Sequence, residues 1–420
     1  MRSVLSLSIM ILIVGHYSCS KKTIPVFISD SMTLDSLGII DSNTPDSEVC
    51  NLPENYHPDP LDPVMNKSRT IRLIFHIMNS QDSLYNFSPD EAPDYFYTML
   101  NNAQERLGQN RKMNLPEGND TPALPPHYSY KRVTVPSDEN GDGYLYHYDD
   151  ELYYFLNRGK YRNNYKRDVI RKYKVGNDSI LNIFVMPHHP DSTASRTYKS
   201  YGSGIALGNS IKVAGIYENG EESWKYATLI NHEIGHVLGL KHSWIRRDGC
   251  EDTPSHKNCY QSYGDPPCDG IASNNMMDYN NSQMAITPCQ LGIIHRNFSR
   301  EGSLQRKLLE KNWCVKDSSL TILIDSEQHW KGHRDVHHDI NINPGGKLFL
   351  YCRLSMPGGS KITVQPGGEL HLMGTRLHSD CGHGWYGIEI IEGGNIKGKV
   401  YYSGDVIIED AELKDFRGLD

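Results

Sequence analysis

The run His232-Glu233-Ile234-Gly235-His236-Val237-Leu238-Gly239-Leu240-Lys241-His242 concentrates residue types that hold metals and move protons. His232 and His236 are four apart, so a helix places both imidazoles on one face at a spacing that suits a single Zn2+ ion. Glu233 then projects beside the metal without ligating it. Gly239 permits a turn with positive φ that ends the helix, and the turn carries His242 to the third ligand position. Three protein ligands leave the fourth position open, which is the arrangement of a catalytic zinc rather than a structural one. A zinc held there acts as a Lewis acid on water and on a carbonyl, with Glu233 placed to carry the proton. The competing reading, a set of packed helix histidines, does not account for a glycine and a third histidine at these spacings.

This stretch resembles the signature of the metzincin zinc metalloproteases. Downstream, Ser273-Asn274-Asn275-Met276-Met277-Asp278-Tyr279 resembles the Asn-x-Met-Asp-Tyr turn of the pappalysin-like (cytophagalysin) branch, which makes Met277 the turn methionine. Taken without the resemblance, Met277 is an ordinary core residue. Thr287-Pro288-Cys289-Gln290 carries an N-cap, a proline at the first helical position and a capping-box glutamine, and the same branch has a helix there beginning Thr-x-x-Gln. From about Arg69 to Cys314 the order of elements is similar to that family. The resemblance implies an α/β (α+β) catalytic domain with a mixed twisted sheet and an active-site helix, acting as an endopeptidase on a protein or peptide substrate. It also implies that Tyr279 hydrogen-bonds a developing oxyanion, where the residue alone reads equally as a packed tyrosine. Asp248-Gly249-Cys250-Glu251-Asp252-Thr253-Pro254 is similar to a family loop with Asp-Thr-Pro, which makes Asp252 and Thr253 the candidates for a structural Ca2+ site.

The elements that must position these residues follow from hydrophobic periodicity. Ile71 to Met78 and Ile180 to Met186 are buried strands, with shorter ones at Gly204 to Leu207 and Lys212 to Ile216. Phe96, Met99, Leu100, Ala103 and Leu107 recur at helical spacing, and a helix from about Ser223 to Leu238 carries the zinc motif. Strands alternating with helices indicate an α/β unit, here residues 69–315. Asp138-Glu139-Asn140-Gly141-Asp142-Gly143, with Asp149 further on, matches half of a calcium loop, and a polar turn between strands is the preferred reading.

The ends differ in texture. Met1-Arg2 and the apolar run Val4 to Val14 form a signal peptide within residues 1–19, followed at Cys19 by a residue that resembles the acylated cysteine of bacterial lipoproteins. Lipidation at Cys19 and ordinary cleavage both export the chain, to the extracellular space or the bacterial cell surface, and membrane contact is expected only through that anchor. Residues 20–68, rich in Asp, Ser, Pro and Asn, read as a tether or pro-segment, with Cys50 as a disulfide partner or a thiolate that caps the zinc. Nine cysteines and no Cys-x-x-Cys pair suit disulfides in an oxidising compartment.

Residues 320–420 form an all-β module. Pro344-Gly345-Gly346 and Pro366-Gly367-Gly368 lie 22 residues apart, a period that fits coils of a parallel β-helix. His329, His333, His337 and His338, ahead of the coil repeats, read as surface residues. With 43 Lys+Arg against 51 Asp+Glu the net charge is -8, which offers nucleic acid no basic surface. The rival readings take the chain for a glycan-degrading β-helix enzyme, or for a surface adhesin or glycan-binding protein with a vestigial or structural zinc site. Retention of Glu233, which matters only for catalysis, weighs against the adhesin.

Overall fold

The computed structural model of the chain describes residues 25–41, 48–59, 67–81, 85–195, 202–218, 222–257, 259, 268, 270–280 and 282–412. Cys19 lies outside the described residues. Up to the C-terminal module the elements are β1 (Val26–Ile28), α1 (Ser31–Leu37), β2 (Ile39–Ile40), β3 (Arg69–Asn79), α2 (Ala92–Gly108), β4 (Tyr128–Arg132) and β5 (Tyr144–Tyr148). There follow α3 (Asp168–Tyr173), β6 (Leu181–Met186), α4 (Pro190–Thr193), β7 (Ser203–Ala206), β8 (Ser210–Ala214), α5 (Ala227–Val237), α6 (Pro288–Ser299) and α7 (Leu304–Lys307). Among the described residues no helix is long and apolar enough to cross a membrane.

β3 is the spine of a six-stranded sheet in the order β4-β3-β6-β8-β7, with β5 paired to the C-terminal half of the β3 edge that β4 occupies at its N-terminal half. All pairs are parallel except β7 on β8. Successive β3 side chains point to opposite faces. Ile71, Leu73, Phe75 and Ile77 join Phe96, Met99 and Ala103 of α2 and Ile230, Ile234 and Val237 of α5 in the main core. Met78 packs on the other face with Phe155, Phe184 and Met186. A strand covered on both faces reads as a continuous apolar run, which is why β3 and β6 are conspicuous in the sequence. The Asp138 turn lies between β4 and β5. Its carboxylate accepts hydrogen bonds from the Gly141 and Gly143 amides (3.0 and 2.7 Å), and Asp149 accepts from Lys172 and the Tyr173 hydroxyl. The Asp138 contacts are those of a self-capped polar turn, while Asp149 is tied to α3.

After Cys314 the chain winds through three sheets in turn. Thr321–Ile324, Glu327–Trp330 and Arg334–Asp335 each pair in parallel with the strand one coil later, Asp339–Ile342, Lys347–Leu350 and Leu354–Ser355. Identical or similar residues therefore stack in register. Ile340 sits on Ile362 and that on Ile388, Leu348 on Leu370 and that on Val400, and these columns fill a second core.

The composition of residues 20–68 predicts a tether, yet its described parts are docked. β1 adds antiparallel to Ile388–Ile390, β2 adds parallel to Lys399–Ser403, and Ile28 and Leu34 sink into the core of the coil stack. A segment too poor in apolar residues to build its own core can still complete another one. Here it covers strand edges that would otherwise expose unpaired backbone groups. Cys50 is disulfide-bonded to Cys352, so it is no zinc-capping thiolate. The bond closes a loop across a sequence separation of 302 residues. Replacing both cysteines by serine is expected to cost roughly 2–5 kcal/mol, read as a lower midpoint in urea unfolding; an unchanged midpoint would exclude a stabilising role.

The two cores are joined by a buried ionic cluster. Asp335 of the coil stack is held by Arg69 of β3 (3.2 Å), Arg306 of α7 (2.8 Å) and Arg353 (2.8 Å), and its side chain is fully buried. Arg69 and Arg306 lie over the Trp313 ring, 5.2 and 4.3 Å from its centroid. The Cys314–Cys381 disulfide closes the same junction. His337 and His338, expected at the surface, are buried near this corner at 1% and 5% exposure. They lie in the short connection between the strands Arg334–Asp335 and Asp339–Ile342, which a sequence with no helical pattern in this stretch does not reveal.

Candidate active site

The zinc motif sits on α5, whose apolar face packs into the main core and whose opposite face opens on a cleft. Asn231 fixes the helix sideways, donating to the Ala103 carbonyl of α2 (2.8 Å) and accepting from the Tyr130 hydroxyl of β4 (2.9 Å). Gly239 has φ +105°, a conformation that L side chains rarely adopt, and the chain reverses there so that His242 faces His236. The Nε2 atoms of His232 and His242 lie 3.2 and 3.1 Å from that of His236. Zinc–nitrogen bonds of 2.0–2.1 Å at tetrahedral angles would set such atoms about 3.4 Å apart, so the donor set fits a zinc ion.

Two of the other ring nitrogens are already committed. His232 Nδ1 lies 2.9 Å from the Met276 carbonyl and His236 Nδ1 lies 2.9 Å from the Leu240 carbonyl. A carbonyl only accepts, so each of these Nδ1 atoms carries the proton and each Nε2 is left with a lone pair that a metal ion could take. Burial pushes His232 down to about 3 and His242 to about 4, each helped by the neighbouring His236, and burial also lowers His236. All three rings are therefore neutral at pH 7, as ligation requires. The His242 ring also stacks on Trp244, with centroids 4.0 Å apart.

Glu233 lines the same cleft at 5% exposure, and burial raises its carboxyl to about 8, against which the Ala206 amide of β7 acts. A divalent cation on the imidazoles would draw that value down by Coulomb attraction, favouring the carboxylate that accepts a proton. Tyr279 is half exposed, with its ring centroid 5.7 Å from His232 and 5.1 Å from His242. It belongs to the cleft, not to the packed core.

Met277 is fully buried beneath the helix. A Cβ on Gly235 would come within 2.5 Å of the Met277 sulfur, so that glycine allows the turn to approach the helix that carries His232 and His236. The turn is tied to α6 through Asn275 and Gln290, which exchange hydrogen bonds of 2.9 and 3.2 Å, and the Thr287 capping box uses the same glutamine.

Sequence reasoning missed the centre of this scaffold, Asp278. Its buried carboxylate accepts from Ser243 (2.5 Å), from Ser273 and from His256 Nε2 (3.2 Å). His256 Nδ1 accepts from the Cys259 amide (2.9 Å), which leaves its proton on Nε2. Asp278 thus joins the residue after His242 to the methionine turn. Only its place between Met277 and Tyr279 could have drawn attention to it. Asp278→Ala should weaken zinc binding by about 10- to 100-fold, measured by competition with a chromophoric chelator. Unchanged affinity would remove Asp278 from the positioning shell.

The calcium candidates have protein partners. Asp252 accepts from the Thr287 hydroxyl (2.7 Å) and the Cys289 amide (3.0 Å) at the start of α6, and Thr253 donates to Asp248. Cys250–Cys289 and Cys259–Cys268 are disulfides, so these cysteines are unavailable as metal ligands.

The cleft holds about 630 Å3. Its floor is α5 and Tyr279, one wall is β7, another the loop with Asn157, Arg158, Asn164 and Tyr165, and Leu304 and Gln305 of α7 close one side.

No family model matches the chain, and no curated protein matches it. Among solved structures it is similar to mirolysin in complex with compound 9, at 15% identity over 58% of this chain and 96% of that one, with a TM-score of 0.38. It is similar to mature mirolysin of Tannerella forsythia in complex with a cleaved peptide, at 16% identity, 58% and 96% coverage and a TM-score of 0.38. A promirolysin variant of Tannerella forsythia matches at 15% identity, 61% and 88% coverage and a TM-score of 0.39. Likeness of this size assigns no activity; the functional reading comes from the residues of the site.

Proposed function

We propose that the chain is an exported zinc-dependent endopeptidase that hydrolyses peptide bonds of proteins. The observation that carries this reading is the convergence of three Nε2 atoms at 3.1–3.2 Å with Glu233 buried in the same open cleft. When bound, zinc supplies Lewis acidity to water and to the scissile carbonyl. Glu233 takes a proton from the attacking water and passes it to the leaving amine. The Tyr279 hydroxyl donates to the oxyanion that develops on the former carbonyl, and its place beside His232 and His242 supports that role. Met276 and Leu240 keep two imidazoles in the metal-accepting tautomer throughout.

Export, with Cys19 as the candidate lipid attachment, rests on the leader sequence and is in keeping with four disulfides. The in-register coils after Cys314 support a parallel β-helix module. Casein cleavage by the wild type, by Glu233→Ala and after zinc chelation tests the activity. Cleavage that survives both perturbations would overturn it.

A further inference from the structure

One wall of the cleft is chemically unlike the rest of this acidic chain. Between Asn157 and Arg167 stand five cations, Arg158, Lys160, Arg162, Lys166 and Arg167, and no carboxylate. Among the described residues none of the five forms an ion pair. Arg158 is exposed and lines the cleft, where Glu233 is the one carboxylate among the described lining residues. Arg158 is therefore open to whatever occupies the cleft, with the other four cations on the same loop.

The loop is also built to hold its place. Leu156 and Asn163 close it with reciprocal bonds, Asn163 N to the Leu156 carbonyl (3.1 Å) and Leu156 N to the Asn163 carboxamide (2.8 Å). Beneath it Lys212, 1% exposed, donates to the carbonyls of Asn163 (2.8 Å) and Lys166 (3.1 Å). The Lys160 and Arg162 side chains rest over the rings of Tyr161 and Tyr165, at 5.1 and 5.4 Å, and Tyr161 stacks on His189 at 4.1 Å. Cations fixed in position lose less side-chain entropy on binding an anion than free ones do. A cluster of cations beside a cleft raises the local concentration of oppositely charged ligand.

We infer that this cleft selects polypeptide segments rich in Asp and Glu, with Arg158 contacting a substrate carboxylate at the cleft wall and the other four loop cations steering the segment in. The inference rests on the peptidase reading and adds the substrate class to it. A peptide is favoured over other polyanions because Arg158 lines the same cavity as Glu233 and the three histidines.

The test separates binding from cleavage. Zinc-loaded Glu233→Ala protein is titrated by fluorescence anisotropy with peptides of one length carrying acidic, neutral or basic residues, at low and high salt. The acidic peptide should bind about tenfold or more tightly than the basic one at low salt, with the gap shrinking as salt screens it. Adding Arg158→Glu should abolish or reverse the order, and adding Arg158→Ala should narrow it. The same peptides are then offered to the wild type. Binding indifferent to peptide charge overturns the inference whatever the cleavage result. So does a heparin oligosaccharide that binds where acidic peptides show no preference. Acidic preference in binding with no cleavage by the wild type would leave the inference standing and overturn the peptidase reading.

Discussion

Glu233→Ala is expected to lower kcat/KM on a protein substrate by about 10²- to 10⁴-fold, mostly in kcat, while zinc content stays near one ion per chain. The reason is positional. Glu233 lies outside the three converging imidazoles, so its removal leaves the donor set intact and takes away the proton carrier. Glu233→Gln, close in shape but unable to accept the proton, should lose as much. Stripping the zinc should abolish activity in the wild type, and adding it back should restore it. Metal analysis beside kinetics decides the matter, since loss of activity through loss of zinc would assign Glu233 to metal binding instead.

The same substitution has a stability signature in the zinc-free protein. Burial raises the Glu233 carboxyl from 4.5 to about 8, so between those pH values the fold keeps a proton that the unfolded chain has released. Its contribution to stability therefore falls as pH rises from 4.5 to 8. Zinc-free Glu233→Ala should lack that decline, so the difference between wild type and variant should shift in favour of the variant as pH rises from 4.5 to 8. Parallel melting curves across that range would refute the burial argument.

Asp335→Asn is expected to destabilise the protein by about 3–5 kcal/mol, because it leaves guanidinium groups buried without their counter-charge. Three arginines, from β3, from α7 and from the coil stack, converge on this single carboxylate. For a chain of this size the melting temperature should drop by about 3–6 °C. The arginines hold the Asp335 carboxyl far below the usual carboxylate range against the opposing effect of burial. Its contribution is thus complete above the unfolded value near 4 and is lost progressively as pH falls below it. Wild type should lose stability on acidification below pH 4 more steeply than the variant. The cluster also reaches the cleft, since Leu304 and Gln305 line it and Arg306 is anchored by Asp335. A raised KM should accompany the lower melting point, and an unchanged melting point would reduce the cluster to a neutral contact.

What the sequence determined by itself about this protein is local chemistry. The four-residue spacing of His232 and His236, the Gly239 turn, the capping box at Thr287 and the 22-residue period after Cys314 are each set by a few adjacent residues and by backbone geometry that repeats. The β3 and β6 runs are legible because both faces of each strand are buried. The tertiary structure alone decided which distant groups meet. It seats residues 26–40 on the end of a coil stack more than 300 positions away, chooses four disulfide pairings, and gathers Arg69, Arg306 and Arg353 around Asp335. It also decides that the Arg158 loop overlooks Glu233, although the composition of that loop is plain in the chain. The physical reason is that helical and turn signals arise from neighbours in sequence. Buried ion pairs, disulfides and clefts instead depend on long-range contacts, which form only when the cores beneath them close.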